Sequence, residues 1–325
     1  MDIAGKNFLV IGGAGFIGSH VADLLLSQGA KQVRIYDNFS RGIAANLRGA
    51  LRDPRAEVFA DGGDILHRDL LSRAMEGIDG LFHLAALWLL QCHQYPRAAF
   101  EVNVEGTMNV AECAMAAGVR RIVFSSSASV YGEPREEPIA EDHPFLCREF
   151  YGASKACGEY LLRALSQRYS GTEKQFEYVG LRYMNVYGPR QDERGAYTGV
   201  VTRMLNALDR AEPPVIHGDG AQAYDFVDVR DCARANLAAM RSERTDRFYN
   251  VGTGVKTSIA DVAALLINLL GATVQPTHSA GDRPFVRNRV GCPRRAADEL
   301  GFVAAIPLQE GLRHLVEWRR GEAMP

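Results

Sequence analysis

The chain has 325 residues, with 37 Lys or Arg against 39 Asp or Glu and a formal net charge of −2. A near-neutral balance without a basic run or stripe argues against nucleic acid or an acidic membrane surface as partner. No apolar stretch reaches the roughly 18 charge-free residues of a membrane span.

The N-terminal "MDIAGKNFLVIGGAG" enters a strand pattern at once, with no basic n-region or cleavage site, so a cytoplasmic protein is expected. The six cysteines are scattered and form no C-x-x-C, which suits a reducing compartment better than a disulfide framework. The eight histidines show no H-x-x-x-H spacing, and adjacent Cys92 and His93 are poorly placed to chelate together, so no metal is expected.

Residues 7–11 ("NFLVI") read as a strand and 16–28 as a helix stopping near Gly29. A second strand is expected at 32–37, and buried apolar runs at 81–86 and 121–127 enclose a helical segment at 97–118. A helix at 151–170 and a strand at 176–183 follow. Such alternation predicts a parallel sheet with helices on both faces. Beyond 183, Pro189, Pro213, Pro214 and several glycines break the pattern. Strands near 224–229 and 248–252 and helices at 231–241 and 258–270 are expected there. The fold class is α/β: a Rossmann-type doubly wound parallel sheet with a smaller mixed α/β C-terminal lobe. The sheet domain would span 1–183, with return segments near 224–252, and the substrate lobe 184–325.

Gly12, Gly15 and Gly18 lie right after the first strand and across the start of a helix. Glycines there let backbone approach a pyrophosphate, which the helix N-terminus meets with N–H groups and a positive dipole end. Asp37 ends the next strand, 19 residues beyond Gly18. A carboxylate at that place accepts from ribose hydroxyls and repels a 2′-phosphate, favouring NAD over NADP. Arg41 nearby is the one feature that would suit such a phosphate. Asp64 and the small Ala85 and Ala86 would follow the third and fourth strands at the same sheet edge.

The stretch "FSSSASVYG" (124–132) puts four hydroxyls within five positions and no acid or histidine among them. Twenty-four residues after Ser127 come Tyr151 and Lys155, one turn apart on one helix face. A tyrosine with a reference pKa near ~10 is a poor base at neutral pH. A neighbouring ammonium and a positive nicotinamide ring would bring it down, and the lysine would also reach the nicotinamide ribose.

At this point the chain resembles the extended short-chain dehydrogenase/reductases, in their NAD-dependent sugar-nucleotide epimerase/dehydratase group. The carriers are "GGAGFIGSH", "DN" (37–38), "GDI" (63–65), "HLAA" (83–86), "VNVEGT" (102–107), "SSSASVYG", "YGASK", "LRYMNVYGPRQ" (181–191), "GDGAQAYDFVDVRD" (218–231) and "YNVGTG" (249–254). The resemblance implies Ser127, Tyr151 and Lys155 as the catalytic set. It adds Phe16, Ile17, Asn38, Ile65, Leu84, Asn103 and Ser125 to the NAD site, with a helix N-terminal cap as the other reading of Asn103. Relatives that eliminate water carry an Asp-Glu pair right after the hydroxyl residue. Here those positions are Ala128 and Ser129. Neither can do that acid–base work, so the resemblance implies 4-epimerisation: oxidation at C4, rotation of the keto sugar and hydride return.

On the substrate side the resemblance implies Asn185 and Arg190 on the loop after a strand, beside Ser127, Ala128, Ser129 and Tyr151. This chain departs from its relatives at Trp88, Tyr224 and Ala280, where many carry a lysine, an arginine and an arginine. One of Arg283, Arg287 and Arg289 would compensate, and a cation at Arg289 would suit a carboxylated sugar. The implied substrate is a UDP-hexose or UDP-uronic acid, and the implied assembly a homodimer through helices 97–118 and 151–170. The competing functions are a 4-dehydrogenase or reductase that releases its keto product, and a silent NAD(H)-binding protein.

Overall fold

The computed structural model describes residues 1–192, 199–280 and 286–321. At its centre stands a seven-stranded sheet. Six of its strands are β1 (Asn7–Ile11), β2 (Gln32–Tyr36), β3 (Ala56–Val58), β4 (Gly80–His83), β5 (Arg121–Ser127) and β6 (Glu177–Tyr183). They run in the order β6-β5-β4-β1-β2-β3, and strand Arg247–Val251 pairs outside β6. Every neighbouring pair is parallel. The chain winds outward from β1 in one direction and from β4 in the other. A crevice therefore opens at the carboxyl ends of β1 and β4, where ligands bind in sheets of this kind.

Strand side chains alternate between two buried layers, which is why the strands read as unbroken apolar runs. Phe8, Val10, Phe82 and Val123 pack on one face with Val21 and Leu25 of helix Phe16–Ser27 and Leu237 of helix Val229–Arg241. Leu9, Ile11, Leu81, Ile122 and Phe124 pack on the other with Val110 of helix Gly106–Ala116 and Leu162 of helix Phe150–Tyr169. Each such side chain contributes about 1.5–3 kcal/mol when removed from water. Helix Phe150–Tyr169 can lie this close to β5 because residue 158 is glycine; a Cβ there would meet the Phe124 ring at 2.7 Å. A third core joins helices Val200–Asp209, Ile259–Leu270 and Leu308–Arg319 around Leu205, Phe226, Val262 and Leu312.

Three expected elements differ in detail: the strand at 224–229 is split into Ala223–Tyr224 and Phe226–Asp228, in different sheets, and Val229 opens a helix. The run at 81–86 leaves the sheet after His83, because Leu84 and Ala85 both turn their N–H groups onto the Ile11 carbonyl, at 2.9 and 3.1 Å. The helix expected over 97–118 is α-helical at Pro96–Ala99, π-helical at Phe100–Glu105 and α-helical again at Gly106–Ala116. From the α-helical turn that follows, the Thr107 hydroxyl bonds the Asn103 carbonyl of the π-helical turn at 2.6 Å, four residues back. Such local widening accompanies functional sites often enough to direct attention there.

Candidate active site

The backbone turn after β1 builds the first wall. Gly12 has φ +80°, and a Cβ on it would stand 2.7 Å from the Ala85 nitrogen. A Cβ on Gly18 would fall 2.2 Å from the Gly12 carbonyl oxygen, so the first helical turn sits directly on this loop. Gly15 caps that helix with no side chain over its end and no acidic residue in its first turn. The free N–H groups of the first turn therefore stay open to an anion.

Asp37 closes the next wall. Its Oδ2 accepts from the Ala14 N–H and its Oδ1 from the Phe39 N–H, both at 2.8 Å. Burial raises its pKa, against the pull of those two bonds. Asp64 is pinned similarly, its Oδ1 accepting from the Leu66 N–H at 2.9 Å. A cavity of about 840 Å³ runs from this turn to Tyr151 and Lys155. Every residue expected at the cofactor lines it except Asn103. Asn103 is buried behind the wall: its Oδ1 accepts from the Leu87 N–H at 2.8 Å and its Nδ2 donates to the Leu87 carbonyl at 2.9 Å. It holds the loop after β4 and caps no helix. A glycine cradle that side chains would fill, an open helix end and a fixed carboxylate at the second strand together fit a dinucleotide.

The cavity also has walls beyond the expected site residues. His20, Arg230, His314 and Trp318 line it. His20 sits 3.0 Å from the Pro189 carbonyl, and burial, helped by the Arg190 charge, lowers its pKa to about 4. Arg190, expected on the substrate, lines the same cavity with φ +68°. Its guanidinium lies 2.7 Å from Asp23, although that pair is poorly angled for a hydrogen bond. Trp88 also faces this cavity and carries the Arg41 guanidinium 4.3 Å above its ring.

At the far end, β5 delivers the hydroxyls. Ser127 leaves the strand and caps the short turn Ala128–Tyr131, its Oγ accepting from the Ser129 N–H at 3.1 Å. Helix Phe150–Tyr169 begins against this turn, its first N–H groups met by both Glu149 oxygens at 2.9 Å from the Gly152 nitrogen. A Cβ on Gly152 would be 2.4 Å from the Ser129 carbonyl oxygen. That close approach brings the Tyr151 hydroxyl beside Ser127, whose hydroxyl works to lower its pKa.

Burial pushes Tyr151 up to about 12, outweighing the Ser127 hydrogen bond. Lys155 does not reverse this. Its Nζ donates to the Ser125 carbonyl at 2.7 Å and stands 5.9 Å from the Tyr151 ring centre. The same burial brings Lys155 down to about 8. The protein groups alone therefore keep the phenol protonated.

On the substrate side, strand Asn288–Arg289 lies parallel to Ala223–Tyr224, with Arg289 in register with Tyr224. The Arg289 Nη1 reaches across to the Ser129 Oγ at 3.3 Å. Tyr224 donates its hydroxyl to the Val286 carbonyl at 2.8 Å. Ala128 is buried within the turn. Asn185 is half-buried in strand Asn185–Tyr187, its N–H on the Asp225 carbonyl. Arg287 is exposed and pairs with Asp219 at 3.2 Å. Arg283 lies outside the described residues. The fold thus gathers Ser127, Ala128, Ser129, Tyr151, Tyr224 and Arg289, and leaves Arg287 at the surface. Among the described residues no group of three or more His, Cys, Asp or Glu side chains could hold a metal ion.

Comparison with known proteins agrees with this geometry. The model of the NAD dependent epimerase/dehydratase family matches residues 8–252. The UDP-glucose 4-epimerase of Mycolicibacterium smegmatis is 35% identical over 97% of this chain and 99% of its own length. The UDP-N-acetylglucosamine 4-epimerase from Methanobrevibacter ruminantium, solved with UDP-N-acetylmuramic acid, superposes with a TM-score of 0.90 at 30% identity, covering 98% of this chain and 100% of the other. The UDP-glucose 4-epimerase of Thermotoga maritima, solved with UDP-glucose, does so with a TM-score of 0.89 at 32% identity, over 97% and 99%.

Proposed function

The chain belongs to the NAD-dependent epimerase/dehydratase family, and from that premise we propose that it interconverts the C4 epimers of a nucleotide-diphosphate sugar, a UDP-hexose or UDP-uronic acid. The observation that carries this reading is the placing of the Tyr151 hydroxyl beside Ser127, with Tyr151 and Lys155 lining the cofactor cavity, followed by Ala128 and Ser129 where elimination would need carboxylates. Gly12, Gly15 and the open helix end would hold the pyrophosphate of NAD, Asp37 the adenosine ribose and Lys155 the nicotinamide ribose. When bound in its oxidised form, NAD supplies the hydride acceptor and a positive ring charge.

Tyr151 takes the proton of the sugar 4-hydroxyl, with Ser127 between them as the hydrogen-bond relay. A phenol held near about 12 by burial ionises only when positive charge lies beside it. Its proton transfer is therefore tied to the loaded site. Ser127, fixed by the Ser129 N–H, keeps the C4 oxygen in place while the sugar presents its other face. Tyr151 then returns the proton. Ala128 has no acid to offer and Ser129 only a hydroxyl, so these two positions supply no acid–base pair to expel water from the sugar.

In this reading residues 1–183, with returns near 224–252, hold the cofactor and 184–325 hold the substrate. Arg190, His314 and Trp318 extend the C-terminal part onto the cofactor cavity. A homodimer is supported by large apolar side chains left open on the two helices that would pair: Phe100 is 51% exposed, Phe150 55% and Tyr160 59%. No helix among the described residues is long and apolar enough to cross a membrane. All six cysteines are free, which suits a cytoplasmic setting.

The test is turnover of UDP-sugars by purified protein without added cofactor, with product analysis at C4. Net release of one NADH per sugar would instead make it a dehydrogenase. Tyr151→Phe is expected to abolish turnover while NAD stays bound, and an unimpaired variant would remove Tyr151 from the mechanism.

A further inference from the structure

Arginines buried in this protein are paired with acids: Arg182 with Glu159 at 2.6 Å and Arg121 with Glu177 at 2.7 Å. Arg289 is different. Its Nε is shielded from solvent and has no hydrogen-bond partner, and its Nη1 meets only a hydroxyl, Ser129 Oγ, at 3.3 Å. Among the described residues it forms no ion pair. The acids and phenols facing it are Glu149, Glu133, Tyr224 and Tyr151. Glu149 is engaged at the start of its helix, both oxygens on the Gly152 N–H. Glu133 accepts from the Arg287 N–H, and the Tyr224 hydroxyl is donated to Val286. Burial works against the Arg289 charge and lowers its pKa, with those four groups pulling the other way. A half-buried guanidinium with a shielded Nε and no acid paired to it among the described residues has donors left for an anionic ligand.

We propose that Arg289 binds a carboxylate carried on the sugar next to C4, so that the substrate is a nucleotide-linked hexuronic acid rather than a neutral hexose. This rests on the reading of Ser127 and Tyr151 as the groups at the C4 hydroxyl. The Ser129 N–H bonds Ser127, and the Ser129 hydroxyl bonds Arg289. The guanidinium is thus two bonded contacts from the Ser127 hydroxyl, which would hold the C4 oxygen. In a pyranose C1 and C4 lie at opposite ends of the ring, so the diphosphate on C1 points away from this corner. The C6 carboxylate hangs from C5, the neighbour of C4. The planar guanidinium fork matches a carboxylate through two parallel hydrogen bonds. Ser129, where elimination would need an acid, sets no negative charge against that anion and carries a hydroxyl donor.

The experiment compares UDP-glucuronate with UDP-glucose on the full-length, NAD-loaded protein, by C4 product analysis and by titration calorimetry. UDP-glucuronate is expected to bind and react better, and Arg289→Gln to lower its kcat/KM by about 10–100-fold, mainly through KM, as loss of a charge-assisted pair requires. Arg289→Lys recovers part of that loss, and bound NAD and thermal unfolding report whether the variants fold. Equal or better use of UDP-glucose by the unaltered protein overturns the proposal while leaving epimerisation intact. So does an Arg289→Gln variant that weakens UDP, UDP-glucose and UDP-glucuronate alike, which would place the guanidinium on the diphosphate. If no UDP-sugar turns over, the epimerase reading fails, and the calorimetric preference of the unaltered protein still decides the role of Arg289.

Discussion

Beneath the reacting hydroxyls lies a buried ion pair whose removal should be costly. Glu159 projects from helix Phe150–Tyr169 and accepts from Arg182 of β6 through both oxygens, at 2.9 Å from Nε and 2.6 Å from Nη2. Ser126 of β5 donates to the same carboxylate. The Arg182 Nη1 donates to the Tyr131 hydroxyl and the Glu141 carbonyl, each at 2.8 Å. The two side chains are 5% and 3% exposed. Burial opposes the Arg182 charge, yet its bonds to Glu159 leave its pKa above the usual value. Glu159→Leu removes the acid and leaves a guanidinium with only neutral partners, which costs about 3–5 kcal/mol. With an unfolding entropy near ~2.1 cal/mol/K per residue, a chain of this length loses about 1.5 °C per kcal/mol, or roughly 4–7 °C in Tm. The double variant Glu159→Leu/Arg182→Met replaces the pair by apolar volume and should recover most of that loss. Differential scanning calorimetry of the NAD-loaded protein measures both. A single variant within about 1 °C of the unaltered protein, or a double variant as unstable as the sum of the singles, would refute the reasoning.

Two further outcomes follow from the cofactor end of the site. Gly12→Ala puts a Cβ at 2.7 Å from the Ala85 nitrogen on a backbone with φ +80°. Purified variant should carry little NAD by chromatography of the released nucleotide, and a full complement would show that the loop gives way. Lys155 has its pKa brought from 10.5 to about 8 by burial. Between those values the unfolded chain binds a proton that the folded protein does not. Stability contributed by this group therefore rises with pH through that window, by at most about 1.4 kcal/mol per pH unit. Lys155→Met abolishes that slope, so the difference in unfolding free energy between the two proteins should change between pH 7.5 and 9.5 (values about which the lysine titrates). A difference that stays flat would mean the ammonium is not held in its buried place.

The sequence by itself determined the features whose information is local. Alternating apolar runs announced the parallel sheet, since buried strands and amphipathic helices have different periods. The glycine spacing after β1, Asp37 at the next strand end, and Tyr151 one helical turn from Lys155 each lie within a single element or its flanking turn. The absence of carboxylates at Ala128 and Ser129 could be read the same way. Only the tertiary structure decided what depends on segments far apart in the chain. It set Asn103 behind the cofactor wall at Leu87, 16 residues away in sequence, and put Arg190 beside Asp23. It brought His314 and Trp318 to a cavity begun by Gly12. It also showed that burial raises the Tyr151 pKa, because burial is a property of the packed site and not of the spacing to Lys155. Arg289 shows the division most plainly. Its charge is visible in the chain, but its lack of a paired acid among the described residues is visible only when strand Asn288–Arg289 docks beside Tyr224 and its side chain reaches Ser129, 160 residues away.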